Sequence, residues 1–240
     1  MIKKALVITF GLFLGLITLV SAGCNLMEGI DGNGKVVKET RNVGSFDKIE
    51  IGGAFKVFLS QGSIESLVVE ADENLMKIIE TDVRGGKLIV ETKENIHDSK
   101  KLNLYITVKD LTSLDVSGAV ELTTEGKLEL KNLEFEGSGA SEIKMNFTAE
   151  RVDGNFSGAS EIEFEGSAGF CRLDMSGASE LDAEAFVVKE FDLQLSGAGD
   201  ADINVTEKLK ANVSGAANVS YIGDPQVDSE ISGAGSVKKR

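Results

Sequence analysis

In the C-terminal half of the chain, hydrophobic and polar residues alternate with a period of two on both sides of a recurring tripeptide. This period is typical of β-strands with one buried face, because successive side chains of a strand point to opposite sides. The pattern therefore predicts two half-buried strands flanking a repeated corner. The tripeptide is Ser-Gly-Ala, and its copies are Ser117-Gly118-Ala119, Ser138-Gly139-Ala140, Ser157-Gly158-Ala159, Ser176-Gly177-Ala178, Ser196-Gly197-Ala198, Ser214-Gly215-Ala216 and Ser232-Gly233-Ala234.

The spacing of these corners predicts how the strands stack. Successive serines are 21, 19, 19, 20, 18 and 18 residues apart, a length that suits one coil of a parallel β-helix. Glycine adopts a positive φ without steric cost, and the small alanine beside it lets one corner lie above the next. We therefore predict an all-β fold, a single-stranded parallel β-helix. The serines are expected to hold the turns rather than to act as nucleophiles.

The first half of the domain, residues 35–111, has β character without the tripeptide. Gly52-Gly53-Ala54 is interpreted as a degenerate corner, and Arg84-Gly85-Gly86-Lys87 as the turn of a β-hairpin. The spacing of apolar residues over 73–79 favours a short helix. We expect irregular β coils or a small sheet here, continuous with the repeats in one domain, residues 36–240, with the repeats at 117–234.

The N-terminus has the layout of an export signal. Lys3 and Lys4 precede an apolar run from Ala5 to Val20, and small residues then lead to Cys24. We predict a signal peptide over residues 1–23, lipidation of Cys24 and a flexible tether over residues 24–35. An ordinary signal peptide or a retained membrane helix is the alternative. The expected location is exported and lipid-anchored, at the outer membrane or the cell surface.

Composition excludes several kinds of chemistry. The formal net charge is −14 and basic residues are not clustered, which argues against nucleic acid as a partner. Cys171 aligns with inward positions of the other repeats, so we expect a buried thiol rather than a ligand or nucleophile. His97 is the single histidine, which leaves no second one for a histidine-based metal site. No catalytic constellation is evident, so we predict that the protein is not an enzyme.

Several segments together resemble a known family. They are Phe46-Asp47-Lys48-Ile49 up to Gly53, Gln61-Gly62, Ala71-Asp72-Glu73-Asn74-Leu75, Gly86-Lys87-Leu88-Ile89-Val90, and the serial Ser-Gly-Ala corners. The chain from about residue 36 to 240 is similar to the head GIN domain family of putative auto-transporter adhesins, mostly exported proteins of Bacteroidota. This resemblance implies a right-handed β-helix and an adhesin role, and it brings no catalytic motif.

An acidic ladder is the first candidate binding feature. The residue four positions after each serine is acidic in five consecutive repeats: Glu121, Glu142, Glu161, Glu180 and Asp200. Stacked coils would place these carboxylates in a column that could hold Ca²⁺, which prefers oxygen ligands. We favour the alternative of a solvated face, and we expect no other cofactor and no other metal.

A second polar column lies two positions before each serine. Its mixture of acids and amides could bind sugar hydroxyls, although such residues also occur on any outward strand face. The members are Asp115, Glu136, Asn155, Asp174, Gln194, Asn212 and Glu230.

These observations predict a non-enzymatic cell-envelope lipoprotein, an adhesin or envelope interaction module that displays a repetitive β-helix surface. The expected partners are the membrane, through the lipid anchor, and a glycan or a surface protein. The alternative function is a carbohydrate-active β-helix enzyme, either a polysaccharide lyase or a hydrolase. Oligomeric state is left open.

Overall fold

The computed structural model describes residues 29–240, and these residues form β-strands and turns without any helix. The predicted signal peptide, Cys24 and the start of the predicted tether lie outside the described residues. No helix in the described part is long and apolar enough to cross a membrane. The strands are β1 (Ile30–Asp31), β2 (Val36–Arg41), β3 (Lys48–Gly53), β4 (Lys56–Gln61), β5 (Ser66–Asp72), β6 (Ile79–Arg84), β7 (Lys87–Thr92), β8 (Ile96–Asp98), β9 (Leu102–Val108), β10 (Ser113–Gly118), β11 (Glu121–Thr124), β12 (Leu128–Glu129), β13 (Asn132–Gly177), β14 (Glu180–Gly197), β15 (Asp200–Gly215), β16 (Asn218–Ile222), β17 (Gln226–Gly233) and β18 (Ser236–Lys239).

The strands from β10 onward form the predicted parallel β-solenoid. Each coil pairs in parallel with the next, in the order β10–β13, β13–β14, β14–β15 and β15–β17. Equivalent corner residues are direct partners, as Ser176 is with Ser196 and Gly177 with Gly197. The seven Ser-Gly-Ala corners therefore lie in one file, which confirms the fold predicted from their spacing.

Backbone contacts between corners explain why glycine occupies the middle of each tripeptide. All seven corner glycines have a positive φ, for example 101° at Gly177, which L side chains rarely adopt. A Cβ on Gly177 would also overlap with the carbonyl oxygen of Gly158 in the preceding coil. That coil-to-coil approach is used for hydrogen bonding: Ala178 N donates to Gly158 O at 2.9 Å and Ala198 N to Gly177 O at 2.9 Å.

The coil formed by β3 and β4 belongs to the same file. Gly52 and Gly53 pair with Ser117 and Gly118, so the degenerate corner lies where the sequence predicts it. The order along the axis differs from the order along the chain, because β7 pairs with the far side of β3 and β9 with the far side of β4. The chain thus forms the β3–β4 coil first and then places β7 and β9 on its N-terminal side. It afterwards returns to the other side of β3 to begin β10.

Antiparallel strands complete the N-terminal end. β5 pairs antiparallel with β9 and with β2, and β6 pairs antiparallel with β7 across the predicted Arg84–Lys87 turn. The irregular coils predicted for this half are therefore a mixed sheet. The helix predicted over residues 73–79 is wrong, because residues 73–78 form a series of turns that lead into β6. Leu75 and Ile78 are buried there, so the helix-like spacing reflects burial in a compact turn.

The tether predicted to extend to Lys35 is fixed over its last residues. Ile30 and Asp31 pair with β8, and Gly32 N donates to Asp98 O at 2.8 Å. The buried carboxylate of Asp72 accepts hydrogen bonds from Gly34 N at 2.5 Å and from Lys100 N at 2.8 Å. These contacts satisfy backbone groups that would otherwise need water, so residues 30–35 belong to the folded domain.

Inward side chains from Phe46 to Val219 form one continuous core, whereas Val227 and Ile231 of the last coil are exposed. Cys171 is fully buried in this core, as its alignment with the other repeats predicts, and burial raises the pKa of its thiol. The core also contains aromatic rings, since Phe135 packs against both Phe156 and Phe164. Room for Phe156 comes from Gly137, where a Cβ would overlap with that ring.

The corner contact predicts a graded response to adding one methyl group. Gly177→Ala should lower the free energy of unfolding by about 2–5 kcal/mol, because it adds both backbone strain and a clash with Gly158. Gly126→Ala should cost only about 1–2 kcal/mol, since Gly126 has a φ of 89° but open space around it. Urea-induced unfolding of the two variants and the wild type measures both changes in the free energy of unfolding. Equal losses in the two variants would contradict close stacking of the corners.

Candidate functional site

The second polar column runs along the outward face of the strands that precede the corners. Asp115 pairs with Glu136, Asp174 with Gln194, and Gln194 with Asn212, so the column is continuous across the coils. Seven positions at the usual strand spacing of about 4.8 Å span roughly 29 Å. The column is thus a long, straight array of acids and amides.

Short corner serines beside this column produce a groove. Two adjoining recesses of about 410 and 350 Å³ lie between the column and the file of serines, and both include Asp174. The first is bordered by Asn155 and Ser157, and the second by Gln194 and Ser196. We call these two recesses together the corner groove. Among the described residues that line it there is no lysine, arginine or histidine.

Carboxylates crowd the N-terminal end of the corner groove. Asp115 lies between Glu50 and Glu136 in the stacked column. Burial, followed by the charges of Glu50 and Glu136, raises the pKa of Asp115. Lys87 partly offsets this repulsion, because its Nζ lies 2.8 Å from Glu50 Oε2.

Hydroxyl groups of corner serines lie close to the backbone of the preceding coil. The hydroxyl of Ser196 lies 3.4 Å from Met175 O, and that of Ser176 lies 3.5 Å from Phe156 O, each in the preceding coil. These long contacts tie one corner to the one below. His97, the single histidine of the sequence, lies elsewhere, with its Nδ1 2.9 Å from Asp31 Oδ1. Among the described residues that line the corner groove beside these serines there is no histidine.

The acidic ladder stacks in register but does not converge. Glu121 pairs with Glu142, Glu161 with Glu180, and Glu180 with Asp200 in adjacent coils. Several of its oxygens already have partners: Lys56 Nζ lies 3.0 Å from Glu121, Lys144 Nζ lies 3.1 Å from Glu142, and Asn218 donates to Asp200 at 2.9 Å. Over residues 29–240, no group of three or more acids, histidines or cysteines is arranged to hold a metal ion. Calcium binding stays a prediction.

Sequence reasoning missed a recess on the other side of the corners. It has a volume of about 590 Å³ and lies beside the first two corners of the file, where Ser99, Lys100 and Lys101 run past Ala54 and Ala119. The adjacent pair Lys100-Lys101 in an acidic chain was the available signal. Nothing in the local sequence pattern shows that this loop returns to the corner, because the contact depends on the parallel pairing of β9 with β4, which lie far apart in the sequence.

Comparison with known proteins supports the observed fold. A putative adhesin from Bacteroides fragilis is 23% identical in sequence and superposes with a TM-score of 0.83, over 88% of this chain and 100% of that chain. A putative lipid binding protein from Parabacteroides distasonis is 22% identical, with a TM-score of 0.68 over 89% of this chain and 100% of that one. A putative adhesin from Parabacteroides merdae is 21% identical, with a TM-score of 0.67 over 88% and 99%. Identity at this level shows a shared fold.

No curated protein sequence matches the chain. A model of the family "Putative auto-transporter adhesin, head GIN domain" matches residues 45–225, from the start of β3 through most of the solenoid. This match covers most of the chain and includes the segments that carry the resemblance noted in the sequence. The chain therefore belongs to the putative auto-transporter adhesin, head GIN domain family.

Proposed function

We propose that the protein is a non-enzymatic, lipid-anchored protein of the cell envelope that binds a neutral, hydroxyl-rich chain along the corner groove. The observation that carries this proposal is the groove itself, which presents amides, acids and hydroxyls at a regular spacing on a rigid sheet. Such groups both donate and accept hydrogen bonds, which suits the hydroxyls of a glycan. An anionic chain is disfavoured, because the groove carries carboxylates and no cation.

Rigidity supports binding by this surface. The groove residues lie on paired strands, and the corner glycines fix the neighbouring coils against one another. A ligand therefore meets side chains whose backbone is already ordered, which lowers the entropy lost on binding. A repeated array also allows a long ligand to bind in several registers, a property that suits attachment to a polymeric surface.

A carbohydrate-active enzyme is the second candidate, and Asp115 is the observation that favours it. The pKa of Asp115 is raised and Glu136 lies beside it in the next coil, and a carboxyl group of raised pKa next to a second one is a feature of many acid–base sites. Both side chains, however, project from equivalent positions of stacked coils and point the same way. A glycosidase instead places its two carboxyl groups on either side of the scissile bond.

The groove proposal predicts a loss of glycan binding when amides are removed from it. Glycan-array screening of the full-length protein identifies a ligand, and calorimetry then compares variants. Asn155→Ala with Gln194→Ala should weaken binding roughly 10- to 30-fold, because two hydrogen bonds contribute about 1 kcal/mol each. Asn132→Ala with Gln226→Ala removes the same residue types from exposed positions outside the groove and should leave the affinity unchanged.

Two outcomes would reject this function. Equal affinities in the two double variants would show that the glycan binds elsewhere. Turnover of the bound glycan, abolished in Asp115→Asn, would establish the enzyme instead.

The anchor proposal predicts that Cys24 determines membrane attachment. In cells fed labelled palmitate, the wild-type protein should carry the label and fractionate with membranes, since acyl chains contribute about 0.8 kcal/mol per buried methylene. Cys24→Ser should lose the label and move to the soluble fraction. Cys171→Ser is the matched control, because that thiol is buried in the core and should not affect labelling. Undiminished labelling of Cys24→Ser would refute lipidation at this residue.

A further inference from the structure

A positively charged recess is unexpected on a chain whose formal net charge is −14. The 590 Å³ recess beside the first two corners of the file is lined by Lys56, Lys100 and Lys101, with Glu121 as its single acidic residue. Lys56 is already paired with Glu121 at 3.0 Å. The ammonium groups of Lys100 and Lys101 form no ion pair among the described residues, and both side chains are exposed. The recess is therefore lined by two lysines outside any close ion pair, although the charge of Lys101 also acts on Glu70 and helps to lower the pKa of that carboxyl group.

The backbone beneath these two lysines is held in place by a buried carboxylate. Asp72, which is fully buried, accepts hydrogen bonds from Lys100 N at 2.8 Å and from Lys101 N at 3.4 Å. The same carboxylate accepts a hydrogen bond from Gly34 N, so the loop is also fixed to the segment that precedes β2. Two cations on an ordered backbone lose less entropy on binding an anion than cations on a mobile loop would.

Aromatic rings form one wall of the recess. Phe58 and Tyr105 stack with ring centroids 5.0 Å apart and an interplanar angle of 12°. Lys38 Nζ lies 4.5 Å from the centroid of Tyr105. Both aromatic residues line the recess. Aromatic edges carry partial positive charge, so they complement electron-rich oxygen atoms.

Hydrogen bonds fix the orientation of this wall. The hydroxyl of Tyr105 donates to Glu70 at 2.7 Å, and Asn103 Nδ2 donates to the same carboxylate at 3.1 Å. Asn103 is buried and also lines the recess, so its position is set by the sheet. The lysine pair thus lies directly before β9, the strand that supplies Asn103 and Tyr105 to the wall, and the paired strand β4 supplies Phe58.

We propose that this recess binds an acidic saccharide, with its carboxylate between Lys100 and Lys101 and its ring against Phe58 and Tyr105. The volume lies within the range of small-molecule sites and is far larger than an isolated inorganic anion requires. Its concave form suits a discrete ligand, whereas a bilayer presents a broad surface that engages clusters of protruding lysines. This site is separate from the corner groove, which lies on the opposite side of the corners and lacks cations.

Calorimetry on the full-length protein in non-ionic detergent tests the proposal with trigalacturonate, its methyl ester and inorganic phosphate as probes. Trigalacturonate should bind saturably and more weakly as salt rises, while the uncharged ester should not bind. The double variant Lys100→Ala with Lys101→Ala should bind trigalacturonate at least about tenfold more weakly, because charge-assisted hydrogen bonds are lost. Lys208→Ala with Lys210→Ala changes the net charge equally on an exposed strand and should have no effect.

Further variants separate this site from the groove and from simple charge effects. Lys100→Arg with Lys101→Arg keeps both cations and should retain binding. Asn155→Ala with Gln194→Ala should leave the affinity for trigalacturonate unchanged, so failure of the groove proposal would be distinguishable. The inference is overturned if neither trigalacturonate nor phosphate binds, if the ester binds equally well, or if the two lysine-to-alanine pairs weaken binding to the same extent. Binding of phosphate alone would exclude the saccharide, and binding only to vesicles of anionic lipid would identify a membrane contact instead.

Discussion

The structure depends on the close approach of one corner glycine to the next. Carbonyl groups of corner glycines accept hydrogen bonds from the alanine amides of the following coil, as Gly158 does from Ala178, Gly177 from Ala198 and Gly197 from Ala216. That approach leaves no room for a Cβ and requires a positive φ, so only glycine meets both conditions. Once the corners are in file, the strand residues next to them pair position by position, and register shifts occur only further along the coils, as between Glu163 and Gly166. Inward side chains then form one core, and outward side chains form straight columns.

Stacking of the coils places equivalent outward side chains in columns along the solenoid axis. The residues before the corners produce a groove of acids, amides and hydroxyls, and those after the corners produce a carboxylate ladder. The ladder shows the limit of such an arrangement: parallel side chains repeat along the axis but do not converge around a point. An array of this kind suits the extended ligand that we propose for the corner groove. Lys100 and Lys101, in contrast, lie where the chain departs from the repeat.

The sequence was sufficient for features with a local cause. The corners, the degenerate corner at Gly52 and Gly53, the buried position of Cys171 and the polar columns all follow from periodicity, because each coil repeats the environment of its neighbour. The 590 Å³ recess was missed because it forms where β9 pairs with β4, and no local sequence pattern encodes that pairing. The helix expected at residues 73–79 failed for a related reason, because buried positions in a compact turn mimic helical spacing.

Hydrogen exchange at the corner amides measures the central interaction directly. If the amides of Ala178, Ala198 and Ala216 donate to the preceding coil as the structure shows, they should exchange slowly and lose protection together as the solenoid unfolds. Nuclear magnetic resonance of the folded protein can follow each amide separately. Exchange at the rates of an unstructured chain in these three alanines would contradict stacking of the corners, and with it the groove and the recess.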